Sequence, residues 1–475
     1  MNPGAGRLLR PLTVRAAPLA LLLLAACAQL PSRPAAGPIV DIPVDVAAPA
    51  STALSPAYAY AAVRRDTAER VWKLVDEHYY DPDFNGADWR GARTRFVPRA
   101  EAARSDAEFY TALKSMVGEL RDSHSQVLTP RETLDRRRFV APRLGITLGW
   151  IERQIAIVAV DPESPAAAAG LHSGDVIRAV NGKRFDVAFI EQAGNSLRPS
   201  DVGIEAILDG SAEAQPSAMD GERERILRAV VRAVRSALGT PPRLVPVRFA
   251  LERDTGAVEA TLTASLAPRP PSAGFRMLDG DVALIRFTRF LPEVRDAVER
   301  ALADAGSARA VIVDLRGNGG GLFEFYRWFA GRFLPESRAV LRTLRRGGIT
   351  EPQASGEVHA GGADAPLLQP LAVLVDQRTA SAAELTAVTL AEQRDALLVG
   401  EATCGCVVGV RAEYVLPDGG GVRISETGFV SARGARMEGR PIEPAIRIVP
   451  TLADLRAGRD PVLEEAHTRL LARLR

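Results

Sequence analysis

At 475 residues the chain is long enough for two or three folded units. Hydrophobic residues make up 47% and charged residues 25%, as in a soluble globular protein, and the net charge is only +2. A nearly neutral chain lacks the concentrated basic face that nucleic acid requires, so nucleic acid is not expected as the main partner.

The first residues form a targeting segment. Arg7, Arg10 and Arg15 precede the apolar run APLALLLLAA and then Cys27, a run too short to cross a bilayer, which takes ~20 residues. Leu-Ala-Ala-Cys at its end resembles the lipobox of bacterial lipoproteins, whose cysteine is acylated after cleavage. An ordinary secretory signal with an incidental cysteine is the competing reading. Residues 1–27 are thus expected to be a lipoprotein signal and 28–56, rich in Pro, Ala and Ser, a tether. Acyl chains on Cys27 would hold the protein to a membrane, each buried CH₂ contributing ~0.8 kcal/mol. Neither Ala28 nor Gln29 is the aspartate associated with inner-membrane retention. The expected location is the periplasmic side of the bacterial envelope, with the outer membrane favoured.

Residues 57–140 are expected to form a helical region. In AYAAVRRDTAERVWKLVDEHYY, Val63, Val71, Leu74 and Val75 fit one helix face. DPDFNGADW interrupts the pattern, and SDAEFYTALKSMVGELRDSH resumes it with Ser105 as cap. Helix is the reading through residue 128.

From residue 141 to 265 the pattern changes. RLGITLGWIERQIAIVAV alternates as strands do, a short helix closes at Gly170, and Asn181-Gly182 marks a hairpin. SPAAAAGLHSGDVIRAVNGK is similar to the central part of bacterial PDZ domains. That resemblance implies capture of a peptide C-terminus on a sheet edge, with its carboxylate near Leu144, Gly145 and Ile146. An acidic, Ala-rich stretch and the amphipathic helix ERERILRAVVRAVRSAL enlarge the closing part of this domain before VPVRFALERD and EATLTASL return as strands.

Residues 266–475 alternate strand and helix: DVALIRF, EVRDAVERALADAG, ARAVIVDLR, a helical stretch, LAVLVD, another helix and DALLVGE. The expectation is a layered α/β domain with a largely parallel sheet. VIVDLRGNGGG ends its strand in a glycine turn. It fails the dinucleotide pattern G-x-G-x-x-G, because Leu322 and Glu324 stand in the wrong places, and no G-K-[ST] follows. Bare backbone N–H groups at a strand end also suit an oxyanion hole. Ser381 lies where LAVLVD gives way to a helix, and with Glu384 it forms S-x-x-E, a capping box. On this stretch alone the better reading of Ser381 is the residue that starts a helix, with a nucleophile second. Cys404 and Cys406 are separated by one glycine. Neighbours i and i+2 of a strand strain a disulfide, no CxxC pair or histidine stands nearby for zinc, and two small buried thiols are expected.

DLRGNGGG, then TASAAEL, VGEATCG and MEGRPIEPAI in that order resemble the C-terminal processing peptidase, or tail-specific protease, family over residues 57–455. The resemblance implies a serine peptidase that needs no metal or cofactor. Ser381 would be its nucleophile, and Gly320 and the backbone N–H of Ala382 its oxyanion donors. Many members activate the serine with a lysine just after the glycine of T-x-G; here that position is Cys406. Lysine occurs only at Lys73, Lys114 and Lys183, so the core domain has none.

Another base is therefore needed. Of the five histidines, His78, His359 and His467 have no motif around them and His172 belongs to the PDZ turn. LRDSHSQ around His124 is similar to the D-x-H-[ST] stretch that ends the helical region in this family, including its tricorn-core branch, which also lacks the lysine. In that branch the histidine is the general base, and a preceding serine and a later glutamate assist it; Ser123 and Glu438 match them. Glu443 is the alternative carboxylate. Histidine suits the role because its pKa lies near neutrality, and a third group that orients the base completes the triad logic. A histidine interacting with a helix C-terminus is the bland alternative for His124. The expected protein is a lipid-anchored serine endopeptidase acting on polypeptides with free C-termini. A catalytically silent peptide- or ligand-binding protein on the same fold is the alternative, and substrate identity and oligomeric state are not readable from the sequence.

Overall fold

The computed structural model describes residues 55–137, 143–152, 154–185, 239–240, 243–266, 271–347, 353–362 and 365–475. The lipobox at Cys27, nearly all of the tether, and the inserted helix expected around residues 222–238 lie outside the described residues.

The N-terminal region contains helices Ala61–His78, Trp89–Glu101 and Asp106–Gly118. Ser105 caps the third, its hydroxyl accepting from Glu108 N at 3.2 Å. The break at DPDFNGADW is real: a single 3₁₀ turn, Phe84–Gly86, separates the first two helices. Helix does not run on to residue 128. It ends at Gly118, and Gln126–Leu128 is a strand paired antiparallel with Gly421–Arg423 of the core. The override is tertiary, because strand Gly421–Arg423, paired on its other side with Glu413–Val415, offers this segment backbone partners in a small three-stranded sheet. Around that strand Val71, Val75, Phe109, Leu113 and Met116 of the helices pack against Leu344, Val408, Val422 and Ile424 of the core. The helical region and the core thus share one hydrophobic cluster, with each fully buried large side chain contributing about 1.5–3 kcal/mol.

The next segment is a sheet in the order Ile146–Ile151, Gln154–Val160, Val176–Val180, Val247–Arg253, Gly256–Leu262. Asn181 and Gly182 both have positive φ, as a tight hairpin requires. Gly145, at φ +80°, packs so closely on Ser164 that a Cβ would fall 2.0 Å from the serine Cβ. Ile146–Ile151 is an edge strand among the described residues.

The core sheet runs Ala273–Leu278, Val282–Phe287, Ala310–Asp314, Leu371–Val375, Leu397–Gly400, Ile446–Arg447. Only its first pair is antiparallel. Every residue of Ala310–Asp314 and of Leu371–Val375 is buried, as expected of strands covered on both faces. Val311, Val313, Val373 and Val375 face helices Arg295–Asp304, Phe323–Gly331 and Ala382–Arg394. Ile312, Ala372, Leu374 and Val399 face Val462, Ala466 and Leu470 of helix Pro461–Arg473. Alternation along each strand assigns these side chains to the two layers. A second, antiparallel sheet built on Arg338–Arg346 and Thr427–Ser431 was not anticipated.

Candidate active site

Ser381 sits between strand Leu371–Val375 and helix Ala382–Arg394 with φ 56° and ψ −121°. L-residues rarely adopt this conformation, and it costs of order 1–3 kcal/mol unless the surroundings enforce it. Here they do. Ala380 N donates to Asn318 O at 3.0 Å, Thr379 Oγ1 donates to Leu315 O at 2.9 Å, and Ser381 N donates both to Cys406 O at 3.2 Å and to Glu384 Oε2 at 3.1 Å. A strained strand-to-helix turn that lifts a serine out of the sheet is the geometry of a nucleophile elbow.

The glycine turn packs directly on this serine. At Gly320, φ +83°, a Cβ would stand 2.7 Å from Ala380 O, 2.8 Å from Ala382 N and 2.8 Å from Ser381 Cβ, so only glycine fits. One expectation needs correcting. The Gly320 N–H donates inward to Asn318 Oδ1 at 2.9 Å, and Asn318 is fully buried, so this donor is already engaged. The fixed Asn318 side chain, held by Phe287 O at 2.9 Å, takes the donor that the sequence assigned to an oxyanion. Ala382 N makes no hydrogen bond among the described residues.

His124 lies beyond the helix end in a turn, where Asp122 Oδ1 accepts from His124 N at 2.9 Å and from Ser125 N at 2.6 Å. Its Nδ1 is 2.6 Å from Ser123 Oγ, which is 3.2 Å from Glu438 Oε2; Glu438 Oε1 accepts from Ser123 N at 2.8 Å. Ser123 has one hydroxyl proton. When that proton goes to the Glu438 carboxylate, Nδ1 must be the donor to Oγ, and Nε2 is left as the acceptor. Burial pushes His124 down to about 4, with Arg423 and Arg136 adding to the shift and Asp122 opposing it. Burial and the nearby Asp122 push Glu438 up to about 7, against the hydrogen bonds from Ser123 and Val407. Glu443 is exposed, and Glu438 alone of the two reaches Ser123.

One peptide group joins the two halves. The Cys406 carbonyl accepts from Ser381 N, and the N–H of the same peptide unit, at Val407, donates to Glu438 Oε2 at 2.7 Å. Beneath it the fully buried Glu384 accepts from Thr403 Oγ1 at 2.5 Å, Gly405 N at 2.7 Å and Cys406 N at 2.9 Å. Burial raises this carboxyl to about 7 despite those donors. Cys404 and Cys406 are not two buried thiols. They are half-buried and joined as a disulfide, with Cα atoms 5.1 Å apart. Gly405 explains the departure: at φ +69° the chain turns instead of extending, which brings the pair within disulfide range.

Three regions match known families: Peptidase family S41 over residues 281–448, the tricorn protease C1 domain over 64–118 and a PDZ domain over 157–200. The chain carries a peptidase family S41 domain. This serine peptidase is similar to the carboxyl-terminal-processing protease of Synechocystis, 28% identical over 74% of this chain and 74% of the relative. It is 25% identical to the chloroplastic C-terminal processing peptidase of Tetradesmus obliquus over 80% of this chain and 76% of the relative. Among solved structures, the photosystem II D1 C-terminal processing protease aligns with 81% of this chain and 93% of its own at 20% identity and TM-score 0.53. Mature CPAF complexed with lactacystin aligns with 88% of this chain and 99% of its own at 13% identity and TM-score 0.60. At these identities the structural likeness establishes the fold.

In this serine peptidase, Ser381, Ala382 and Gly320 meet at one turn, and Ser123, His124 and Glu438 form one hydrogen-bonded chain. Leu144, Gly145 and Ile146 lie apart in the PDZ domain, where Leu144 O accepts from Ala166 N and Gly145 O from Asp161 N. Sequence reasoning missed the clamp made by Glu384, whose S-x-x-E spacing signals a helix start and nothing about the loop at 403–406. It also missed Asp122 as the anchor of the His124 turn, although Asp followed by small polar residues is an Asx-turn signal. No group of His, Cys, Asp and Glu suited to a metal ion occurs among the described residues.

Proposed function

We propose that the chain is an exported, lipid-anchored endopeptidase that recognises polypeptides by their C-termini and cleaves them through Ser381, with His124 as base. The Cys406–Val407 peptide, held between Ser381 N and Glu438 Oε2, carries this reading, because it ties the serine's turn to the His124 chain. In the reaction His124 Nε2 takes the Ser381 proton as Oγ attacks the scissile carbonyl and later returns it to the leaving amine. Ser123 and Glu438 fix the tautomer and favour the imidazolium that forms. The Ala382 N–H at the start of helix Ala382–Arg394 faces the developing oxyanion, where the helix N-terminus adds favourable potential. Gly320 supplies the close approach that a side chain would block.

Recognition of a free C-terminus fits the PDZ domain, whose strand Ile146–Ile151 has a strand partner on one side only among the described residues, beside Leu144 and Gly145. Anchoring at Cys27 rests on the LAAC sequence alone. Two experiments test the proposal. A fluorophosphonate probe should label the purified chain and spare Ser381→Ala; labelling of both equally would put the nucleophile elsewhere. Cells fed radioactive fatty acid should label the wild-type chain, and equal label in Cys27→Ser would remove the anchor. A silent binding protein on this fold is favoured only if the probe leaves Ser381 untouched.

A further inference from the structure

Every backbone N–H from Thr403 to Val407 is engaged: Thr403 N with Ile442 O at 3.2 Å, Cys404 N with Thr379 O at 3.0 Å, Gly405 N and Cys406 N with Glu384, and Val407 N with Glu438. The Gly405 carbonyl accepts from Gly439 N at 2.8 Å, next to Glu438, and the Cys406 carbonyl accepts from Ser381 N. Within this stretch the sulfurs of Cys404 and Cys406 are joined. A disulfide that closes so short a loop removes little chain entropy from the unfolded state, so it staples nothing distant together. Its effect is local, and the local structure is the strap between the serine and the His124 chain. Both cysteines are half-buried and not sealed from solvent, which leaves the bond within reach of a small dithiol.

We propose that Cys404–Cys406 is a redox modification site, resting on the peptidase reading above, that sets the turnover of Ser381. Closed, the ring fixes the position of the Cys406 Cα, from which the Cys406–Val407 peptide leads out to Ser381 N and Glu438. A dithiol opens it in two steps. One thiolate attacks a cysteine sulfur, forming a mixed disulfide and expelling the other cysteine as thiolate. The second thiol of the reductant then releases the first cysteine. Two electrons and two protons pass to the pair, and the reductant leaves as a disulfide. The freed loop no longer holds the Cys406–Val407 peptide in one orientation, and Ser381 and Glu438 lose their common support. Oxidation restores the strap.

The test uses the full chain, with denatured casein as substrate and fluorophosphonate labelling of Ser381 as a second readout. Thiols are counted by alkylation and mass measurement before and after treatment with dithiothreitol. The closed form should hydrolyse and label about tenfold faster than the reduced form, since small misplacements of reacting groups cost rates of this order. KM should stay within about twofold, and reoxidation should recover the rate. Cys404→Ser/Cys406→Ser should keep the slow rate in both conditions, and Cys27→Ser should respond as wild type does. Equal rates in the two states, or free Cys404 and Cys406 thiols in aerobically purified protein, would overturn the switch alone. No labelling of Ser381 in either state would overturn the peptidase reading and the switch with it.

Discussion

Ser381 and Glu438 hold opposite ends of one peptide group: the serine N–H meets the Cys406 carbonyl at 3.2 Å, and the Glu438 carboxylate meets the Val407 N–H at 2.7 Å. The two residues lie on different elements, one at a helix start and one in the loop after Thr427–Ser431. Displacing the shared peptide would therefore disturb both the serine's strained turn and the carboxylate that orients Ser123 and His124.

The pH dependence should follow Glu438. Its carboxyl is pushed up to about 7 by burial, whereas His124 is pushed down to about 4. Above pH 7 the ionised carboxylate accepts from Ser123, and His124 Nε2 is free to take a proton. As pH falls through about 7, Glu438 gains a proton and can donate to Ser123, which reverses the chain and places hydrogen on Nε2. The value of kcat/KM should thus fall below about pH 7. In Glu438→Gln the rate should be lower, and the acid limb should move away from 7. A pH–rate profile of both proteins checks this; an unchanged limb near 7 in Glu438→Gln would assign it elsewhere.

Gly320→Val should lose ~10²-fold or more in kcat, because its Cβ would meet the backbone of Ala380 and Ala382 and the Cβ of Ser381. Asn318→Ala separates space from hydrogen bonding. It frees the Gly320 N–H and leaves the glycine turn open, so its cost should be smaller than that of the valine. Steady-state rates for the two variants decide the order.

Glu384→Ala would strip the buried acceptor from Thr403, Gly405, Cys406 and Ser381 at once. Ser381 N keeps its bond to Cys406 O, and the three donors left orphaned cost about 1–3 kcal/mol each, so a stability loss of at least about 3 kcal/mol is expected from urea unfolding. An unfolding midpoint within error of wild type would mean that Glu384 does not hold the loop.

Much of this fold was legible in sequence because its signals are local. Ser105 capped its helix, Asn181–Gly182 made its hairpin, and LAVLV was apolar throughout because both faces of that strand are covered. Non-local pairing was not legible. Gln126–Leu128 is a strand only because Gly421–Arg423 lies beside it. The antiparallel pair Arg338–Arg346 and Thr427–Ser431 is separated by more than eighty residues. At the site, motif spacing brought forward Ser381, Ser123, His124 and Glu438. It could not show that the Gly320 N–H is spent on Asn318, nor that positive φ at Gly405 would bring Cys404 to Cys406.

A peptide ending in a free carboxylate should bind the PDZ domain more tightly than its amide by at least about tenfold, the loss of a charge-assisted contact in a backbone nest. Calorimetry on the Ser381→Ala chain measures this without turnover. Equal affinities would remove C-terminal recognition from residues 144–146.

The most direct measurement compares hydrolysis and fluorophosphonate labelling in wild type, Ser381→Ala, His124→Ala, the double variant, Lys114→Ala and Lys183→Ala. Lys114 is paired with Glu132 at 2.7 Å on the surface, and Lys183 is exposed in the PDZ hairpin, so both lysine variants should turn over normally. Ser381→Ala should be inactive and unlabelled. His124→Ala should lose at least ~10³-fold in kcat, and the double variant should be little worse, because members of a triad act as a unit. Full activity in His124→Ala beside a dead Ser381→Ala would keep the nucleophile and contradict the base.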